Sequence, residues 1–276
     1  KGSGTYIRYK GKWQKTSLKT DFNRGGAYPA WHPDGDLIAF SVNSLTMFYH
    51  TRGETRDVLD RESNLVVYDV ANNMITASPS IADDDKMETF PRWSPDGKYL
   101  YFCSAPNLQN YISENDRDLD WDNIHYDLYR AAFDANTREW GPAELLLSAD
   151  DLGKSAVIPR VSPDGRYVMI CLANYGSFPI YHDHSDLYLF DVESRSLEPL
   201  DTVNDPEVTE SYHCWSTNGS WFAFTSKRRD GFHGRPFFAY FKDGKAYKPF
   251  VLPQQDPSFY DKFLINYNVP ELFTEK

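Results

Sequence analysis

The sequence predicts an all-β chain, a β-propeller of four-stranded antiparallel blades, on three observations. One tract is written four times with small changes: YPAWHPDG at 28–35, FPRWSPDG at 90–97, IPRVSPDG at 158–165 and YHCWSTNG at 212–219. Each tract is followed by an apolar run: LIAF at 37–40, YLYF at 99–102, YVMI at 167–170 and WFAF at 221–224. After a variable insertion comes a second β-rich run: NLVVYD at 64–69, DLYRAAFD at 127–134, DLYLFD at 186–191 and a looser RPFFAYF at 235–241. The aligned Trp31, Trp93, Val161 and Trp215 lie 62, 68 and 54 residues apart. A strand-turn-strand unit recurring at such intervals marks a propeller or a similar array.

The elements follow in order. Residues 5–16 read as strand, turn and strand, the outer part of a half blade over 5–20 that lacks its first two strands. Four complete blades follow at about 28–78, 90–148, 158–201 and 211–252, with a tail over 253–276. In each blade the Pro-Asp-Gly (or Thr-Asn-Gly) step makes a tight turn, because proline presets φ and glycine accepts a positive one. The run after it is apolar at nearly every position, as suits a strand covered on both faces. Weaker fourth strands are predicted near 74–77, 144–147, 197–200 and 249–252. A half blade exposes an edge. The chain therefore reads either as a closed five-bladed ring completed by the tail or as the C-terminal part of a six- to eight-bladed ring. In the tail, Asp256 and Pro257 form a helix start, and Phe259, Phe263 and Tyr267 follow at helical spacing. This predicts a short amphipathic C-terminal helix packed on the propeller, which favours the larger ring.

Composition narrows the function. Of 276 residues 41% are hydrophobic and 16% aromatic, enough for a core rich in strands. The net charge of −11 would repel a nucleic acid or an anionic lipid surface. No apolar run approaches the roughly 18 residues a membrane-spanning helix needs, so no transmembrane segment is expected. Cys103, Cys171 and Cys214 form no C-x-x-C pair and read as small buried hydrophobes on separate blades. The opening Lys1-Gly2-Ser3-Gly4 has neither Met nor an apolar leader, which suggests a removed targeting segment or a longer product.

The tract Pro-x-Trp-Ser-Pro-Asp-Gly-x-x-x-x-Phe followed by Asp-Leu-Tyr-x-x-Asp resembles the repeat of TolB-like propellers, which also occurs in tricorn-like and dipeptidyl-peptidase-like propellers. The resemblance covers 28 to about 252, and residues 210–271 are also similar to exported TolB-like proteins of Bacteroidetes. It implies an exported binding module, periplasmic or associated with the outer membrane, and brings no catalytic residues. No C-x-x-C-H haem-attachment motif is present.

Propeller geometry puts the short one-to-two and three-to-four turns on one face and the long two-to-three loops on the other. The long loops span about 43–63, 105–126, 174–185 and 227–234. Binding residues concentrate on long loops carried by a rigid scaffold. His50, His125, His182, His184 and His233 fall there or close by, and His213, beside Tyr212, is expected at the channel mouth. His182, His184 and Asp186 are the candidate ligands of a divalent metal, with His213 or His233 as a further ligand. The alternative is that they are ordinary polar loop residues. Residues 115–123 alternate carboxylates as a calcium loop would, without the glycine and distal glutamate of an EF-hand, and read more simply as a solvated loop. Arg228, Arg229 and Arg235, with His233, form a basic cluster able to hold a carboxylate or an acidic sugar, or to pair with acidic loops. His32 replaces the serine of the repeat and belongs to a structural turn.

Two functions follow. The first is a non-catalytic binding or assembly module of the cell envelope that holds a protein, peptide or glycan on its long-loop face and needs no cofactor. The second is a metal-dependent propeller enzyme acting on acidic sugars, similar to oligogalacturonate lyase, in which a histidine-bound metal polarises a carboxylate. No G-x-S-x-G nucleophile elbow is present.

Overall fold

The computed structural model describes residues 5–16, 26–49, 57–108, 121–262 and 264–273. Four antiparallel sheets follow one another along the chain as the blades of a propeller. The first blade holds β3 (Gly26–Trp31), β4 (Leu37–Phe48), β5 (Asp57–Asp69) and β6 (Met74–Thr76); β1 (Thr5–Tyr9) and β2 (Lys12–Thr16) precede it. The second holds β7 (Lys86–Trp93), β8 (Tyr99–Pro106), β9 (Asp127–Asp134) and β10 (Glu139–Leu147). The third holds β11 (Ser155–Val161), β12 (Tyr167–Ala173), β13 (Ser185–Asp191) and β14 (Leu197–Pro199). The fourth holds β15 (Glu210–Trp215), β16 (Trp221–Ser226), β17 (Arg235–Lys242) and β18 (Lys245–Ala246), with β19 (Phe250–Val251) also paired to β17. Among the described residues no helix is long and apolar enough to cross a membrane.

The repeated turn is held by its own side chains. Ser94 Oγ donates to Asp96 Oδ1 at 2.6 Å and accepts from Tyr99 N at 3.0 Å, while Gly97 N donates to Ser94 O at 2.9 Å. Ser162 with Asp164 and Ser216 with Asn218 repeat the arrangement. The aspartate closing the third strand works in the same way, since Asp69, Asp134 and Asp191 accept backbone N–H groups of the following turn. The sequence places these turns correctly because each is a local hydrogen-bond circuit.

Each sheet is apolar on both faces and stays dry only between neighbours. Leu37, Ala39, Leu65 and Val67 of the first blade meet Trp93, Leu100, Phe102 and Phe133 of the second. Tyr101 and Leu128 of the second meet Val168, Ile170 and Phe190 of the third. Met169, Cys171 and Leu189 of the third meet Trp215, Phe222, Phe224 and Phe241 of the fourth. All three cysteines are buried and unbridged, and burial pushes their thiols up. On the outer flank of the first blade, Ile7 packs with Ile38, Phe40 and Val42. The β1–β2 hairpin therefore occupies the place of the outer strands of a preceding blade.

Two details differ from expectation and one agrees. The first blade's two-to-three loop is much shorter than 43–63, because β4 and β5 continue as a long hairpin of 12 and 13 residues. As the half-blade reading expects, β1 and β2 form a two-stranded sheet among the described residues. The expected C-terminal helix is reduced to a single 3-10 turn, Phe259–Asp261, and residues 264–273 run without helix or strand; Phe263 lies outside the described residues. The tail is instead held by long-range bonds to the fourth blade. Arg235 Nη1 donates to Ile265 O at 2.7 Å, Arg235 Nη2 to Tyr260 O at 2.9 Å, and Thr225 Oγ1 lies 2.6 Å from Tyr267 O. These bonds tie the tail to the fourth blade from residues distant in sequence.

Two buried glutamates tie incoming loops to their blades. Asp83 N donates to Glu88 Oε1 at 3.3 Å, and Asp205 N donates to the equivalent Glu210 at 3.0 Å. Burial pushes Glu88 up to about 8. Burial also raises Glu210, but only to about 6, because it accepts from Ser226 at 2.6 Å and from Arg228 at 2.9 Å.

Two predictions follow from these contacts. Gly97 and Gly35 share the same turn conformation, at φ +72° and +77°, but a Cβ on Gly97 would strike the His32 imidazole whereas one on Gly35 meets nothing within 4 Å. Gly35→Ala should cost about 1 kcal/mol and Gly97→Ala clearly more in urea unfolding; equal losses would show that the His32 contact is not formed. Glu88 binds its proton more tightly folded than unfolded, so its contribution is complete below about pH 4.5 and is lost as pH rises through about 8. Glu88→Gln should therefore flatten the fall in stability over that range, by up to about 1.4 kcal/mol per pH unit. An unchanged slope would assign the titration elsewhere.

Candidate functional site

The inner strand of every blade carries a β-bulge at the same place. Pairing slips between Ala27 and Ala30, Thr89 and Arg92, Val157 and Arg160, and Ser211 and Cys214. At each slip one bulky residue has a positive φ: Tyr28 at 53°, Phe90 at 53°, Ile158 at 59° and Tyr212 at 42°. Such a conformation is disfavoured for side chains of this size, and for branched isoleucine most of all. Four successive blades bear the strain because it turns these side chains toward the propeller axis.

There they line a cavity of about 450 Å³, together with Pro29, Pro91, Arg92, Pro159 and Arg160. The wall is an aromatic and aliphatic belt in which the Tyr28 and Phe90 rings lie 4.4 Å apart and Phe178 packs behind them. On the long-loop side of the belt, burial pushes the Tyr28 hydroxyl up and lifts Asp60 to about 7, and Asn43 Nδ2 donates to Asp60 Oδ2 at 3.4 Å.

Toward the short-turn side two arginines, Arg92 and Arg160, line the cavity. Arg160 Nε donates to His213 O at 3.0 Å, a bond from the third blade to the fourth that fixes the group in place. Its Nη2 meets Glu271 Oε1 of the tail at 2.9 Å. Arg92 is lowered to about 10, first by burial and then by the Arg160 charge, with Glu271 pulling the other way. Two like charges drawn together and partly desolvated make this end of the channel strongly attractive to an anion, in a chain whose net charge is −11. Val269 and Glu271 complete the lining.

The residues singled out from sequence go to several places. Tyr212 lines the cavity. His213 is not at the channel mouth. The positive φ at Tyr212 turns that ring inward and sends His213 toward the third blade, where it is fully buried and lowered by burial to about 3. Its Nε2 lies 2.9 Å from Met169 O. Arg228 is engaged with Glu210, Val203 O and Ser226, and Arg229 with Asp261. Arg235 is buried beneath the tail, and His233 pairs with Asp230 at 2.8 Å. The basic cluster is thus divided among internal partners. His182 is buried beside Asp57 at 3.4 Å and against the Tyr175 ring, whereas His184 faces Asp186 at 3.6 Å. Among the described residues no three His, Cys, Asp or Glu side chains assemble as a ligand set. His125 Nε2 lies 2.8 Å from Asn174 O. His50 and most of the 115–123 loop lie outside the described residues.

Arg92 and Arg160 are the residues that sequence reading missed. Their signal was present: the P-R-W and P-R-V steps place an arginine one residue before the aligned tryptophan position in two successive repeats. A charge recurring on an otherwise apolar inner strand has to face the axis.

Comparison with known proteins places the fold and goes no further. No family model and no curated protein matches the chain. Among solved structures it is similar to a puromycin-hydrolysing peptidase of Mycobacterium tuberculosis, at 13% identity and a TM-score of 0.52, over 86% of this chain and 30% of that one. It is similar to a prolyl endopeptidase at 14% identity and a TM-score of 0.52, over 89% of this chain and 32% of that one. The periplasmic gluconolactonase of Pseudomonas aeruginosa matches at 13% identity and a TM-score of 0.49, over 92% of this chain and 64% of that one. The chain spans about a third of the length of each of the two peptidases. At these identities the likeness is one of fold, and the fold is a β-propeller.

Proposed function

We propose that the chain is a non-catalytic binding module whose site is the axial channel, and that it recognises a carboxylate-bearing ligand through Arg92 and Arg160. The observation that carries this reading is that Arg92 and Arg160 line, together with an apolar belt, one cavity of about 450 Å³. Guanidinium forks match carboxylates in geometry and charge, and the belt adds an apolar surface for the body of the ligand. The site is built from inner strands and not from the long loops. The repeat's resemblance to exported TolB-like propellers supports a place in the cell envelope. The metal-dependent alternative draws on His182, His184 and Asp186, whose nearest partners point to separate local pairs.

Titration calorimetry with galacturonate and with an amidated acidic hexapeptide tests the reading. Arg160→Met or Arg92→Met should weaken the binding of whichever probe is held by at least about tenfold, the scale of one charge-assisted hydrogen bond. His184→Ala should leave it unchanged. Undiminished binding in both arginine variants, or loss in His184→Ala together with a bound metal, would overturn it.

A further inference from the structure

The chain's own C-terminal segment already lies in the channel as a ligand would. Residues 260–262 and 264–268 are firmly anchored. Buried Arg235 holds two of their carbonyls, Gly234 N donates to Asn266 Oδ1 at 2.8 Å, and Tyr267 N donates to Gly234 O at 3.0 Å. Thr225 Oγ1 lies 2.6 and 3.0 Å from the carbonyls of Tyr267 and Asn268. Beyond that point the attachment changes in kind. Val269 and Glu271 enter the cavity, and the segment is held there by the Arg160–Glu271 pair and by Leu272 N donating to Cys214 Sγ at 3.1 Å. Sulfur is a weak acceptor. Val269 remains 54% exposed and Phe273 81%.

The residues inserted have a definite pattern. Pro270 holds Val269 extended and lacks an N–H that would need a partner. In an extended chain, residues two apart point the same way. Val269 and Glu271 therefore face the cavity together, an apolar side chain toward the belt and a carboxylate toward the arginines.

We infer that the channel takes an extended peptide bearing an apolar residue two positions before an acidic side chain, and that residues 269–273 are an intramolecular copy which the ligand displaces. This rests on the reading of the channel as a carboxylate site. The anchor at Arg235 keeps the copy near the site whether or not it is bound. A tether of this kind holds a local concentration on the order of millimolar, so an incoming peptide must outcompete a weak but ever-present occupant.

The wild-type chain and its Glu271→Gln variant are titrated with amidated NVPELF, with amidated NVPQLF and with galacturonate. Glu271 is half-exposed, so the variant should fold as the wild type does. The expected result is NVPELF binding at least about tenfold tighter to Glu271→Gln than to wild type, because the competitor has lost its charged hydrogen bond, with NVPQLF binding neither. Equal affinity of NVPELF for the two chains would overturn displacement while leaving the channel a carboxylate site. Galacturonate binding without peptide binding, or NVPQLF binding as tightly as NVPELF, would overturn the peptide class. Binding of no probe by either chain would overturn both this inference and the channel reading beneath it.

Discussion

Burial between neighbouring blades is the constraint on which everything else in this molecule depends. A sheet such as β15–β18 carries Phe222, Phe224 and Phe241 on one face, and those rings are dry only because Met169, Cys171 and Leu189 of the third blade lie against them. Fully burying a side chain of this kind is worth roughly 1.5–3 kcal/mol, so each interface contributes far more than any turn. The same logic makes the ends of the array distinctive. Ile7 of the β1–β2 hairpin covers the outer flank of the first blade. At the other end, Trp221 and Phe250 of the fourth blade are partly exposed, and the tail lies along the Thr225 side of that blade.

Packing at the seams leaves the inner strands free to do something else. A regular strand would alternate its side chains between the two neighbouring blades. The bulge breaks that alternation once per blade and frees one residue to face the axis. The free energy stored at four positive-φ positions is held by the surrounding ladders, which are regular on both sides of each slip. The channel wall thus depends on backbone geometry that the seams enforce.

Charge then gives the channel its character. Polar groups elsewhere in the interior are neutralised locally, as Glu210 is by Arg228 or His213 by remaining uncharged against the Met169 carbonyl. Arg92 and Arg160 differ, since among the described residues the carboxylate paired with Arg160 comes from the half-exposed Glu271. An acidic protein that concentrates two cations at its axis has the opposite field there to the field over its surface.

The sequence by itself determined the blades. Turn circuits such as Ser94–Asp96–Gly97 and runs such as YVMI at 167–170 are local, so residue type and spacing were enough to place them. Helical spacing in the tail was equally plain, yet only one 3-10 turn forms, and Arg235 and Thr225, distant in sequence, hold the tail's carbonyls. The histidines and arginines of the long loops were visible too, but the partners of His182, Arg228 and Arg229, namely Asp57, Glu210 and Asp261, come from other parts of the chain. Only the tertiary structure decided that a proline-flanked inner-strand residue adopts a positive φ, because proline biases its predecessor toward extended backbone. It alone decided that Arg92, Arg160 and Glu271 meet, because long-range contacts from three parts of the chain set that encounter and no local preference encodes it.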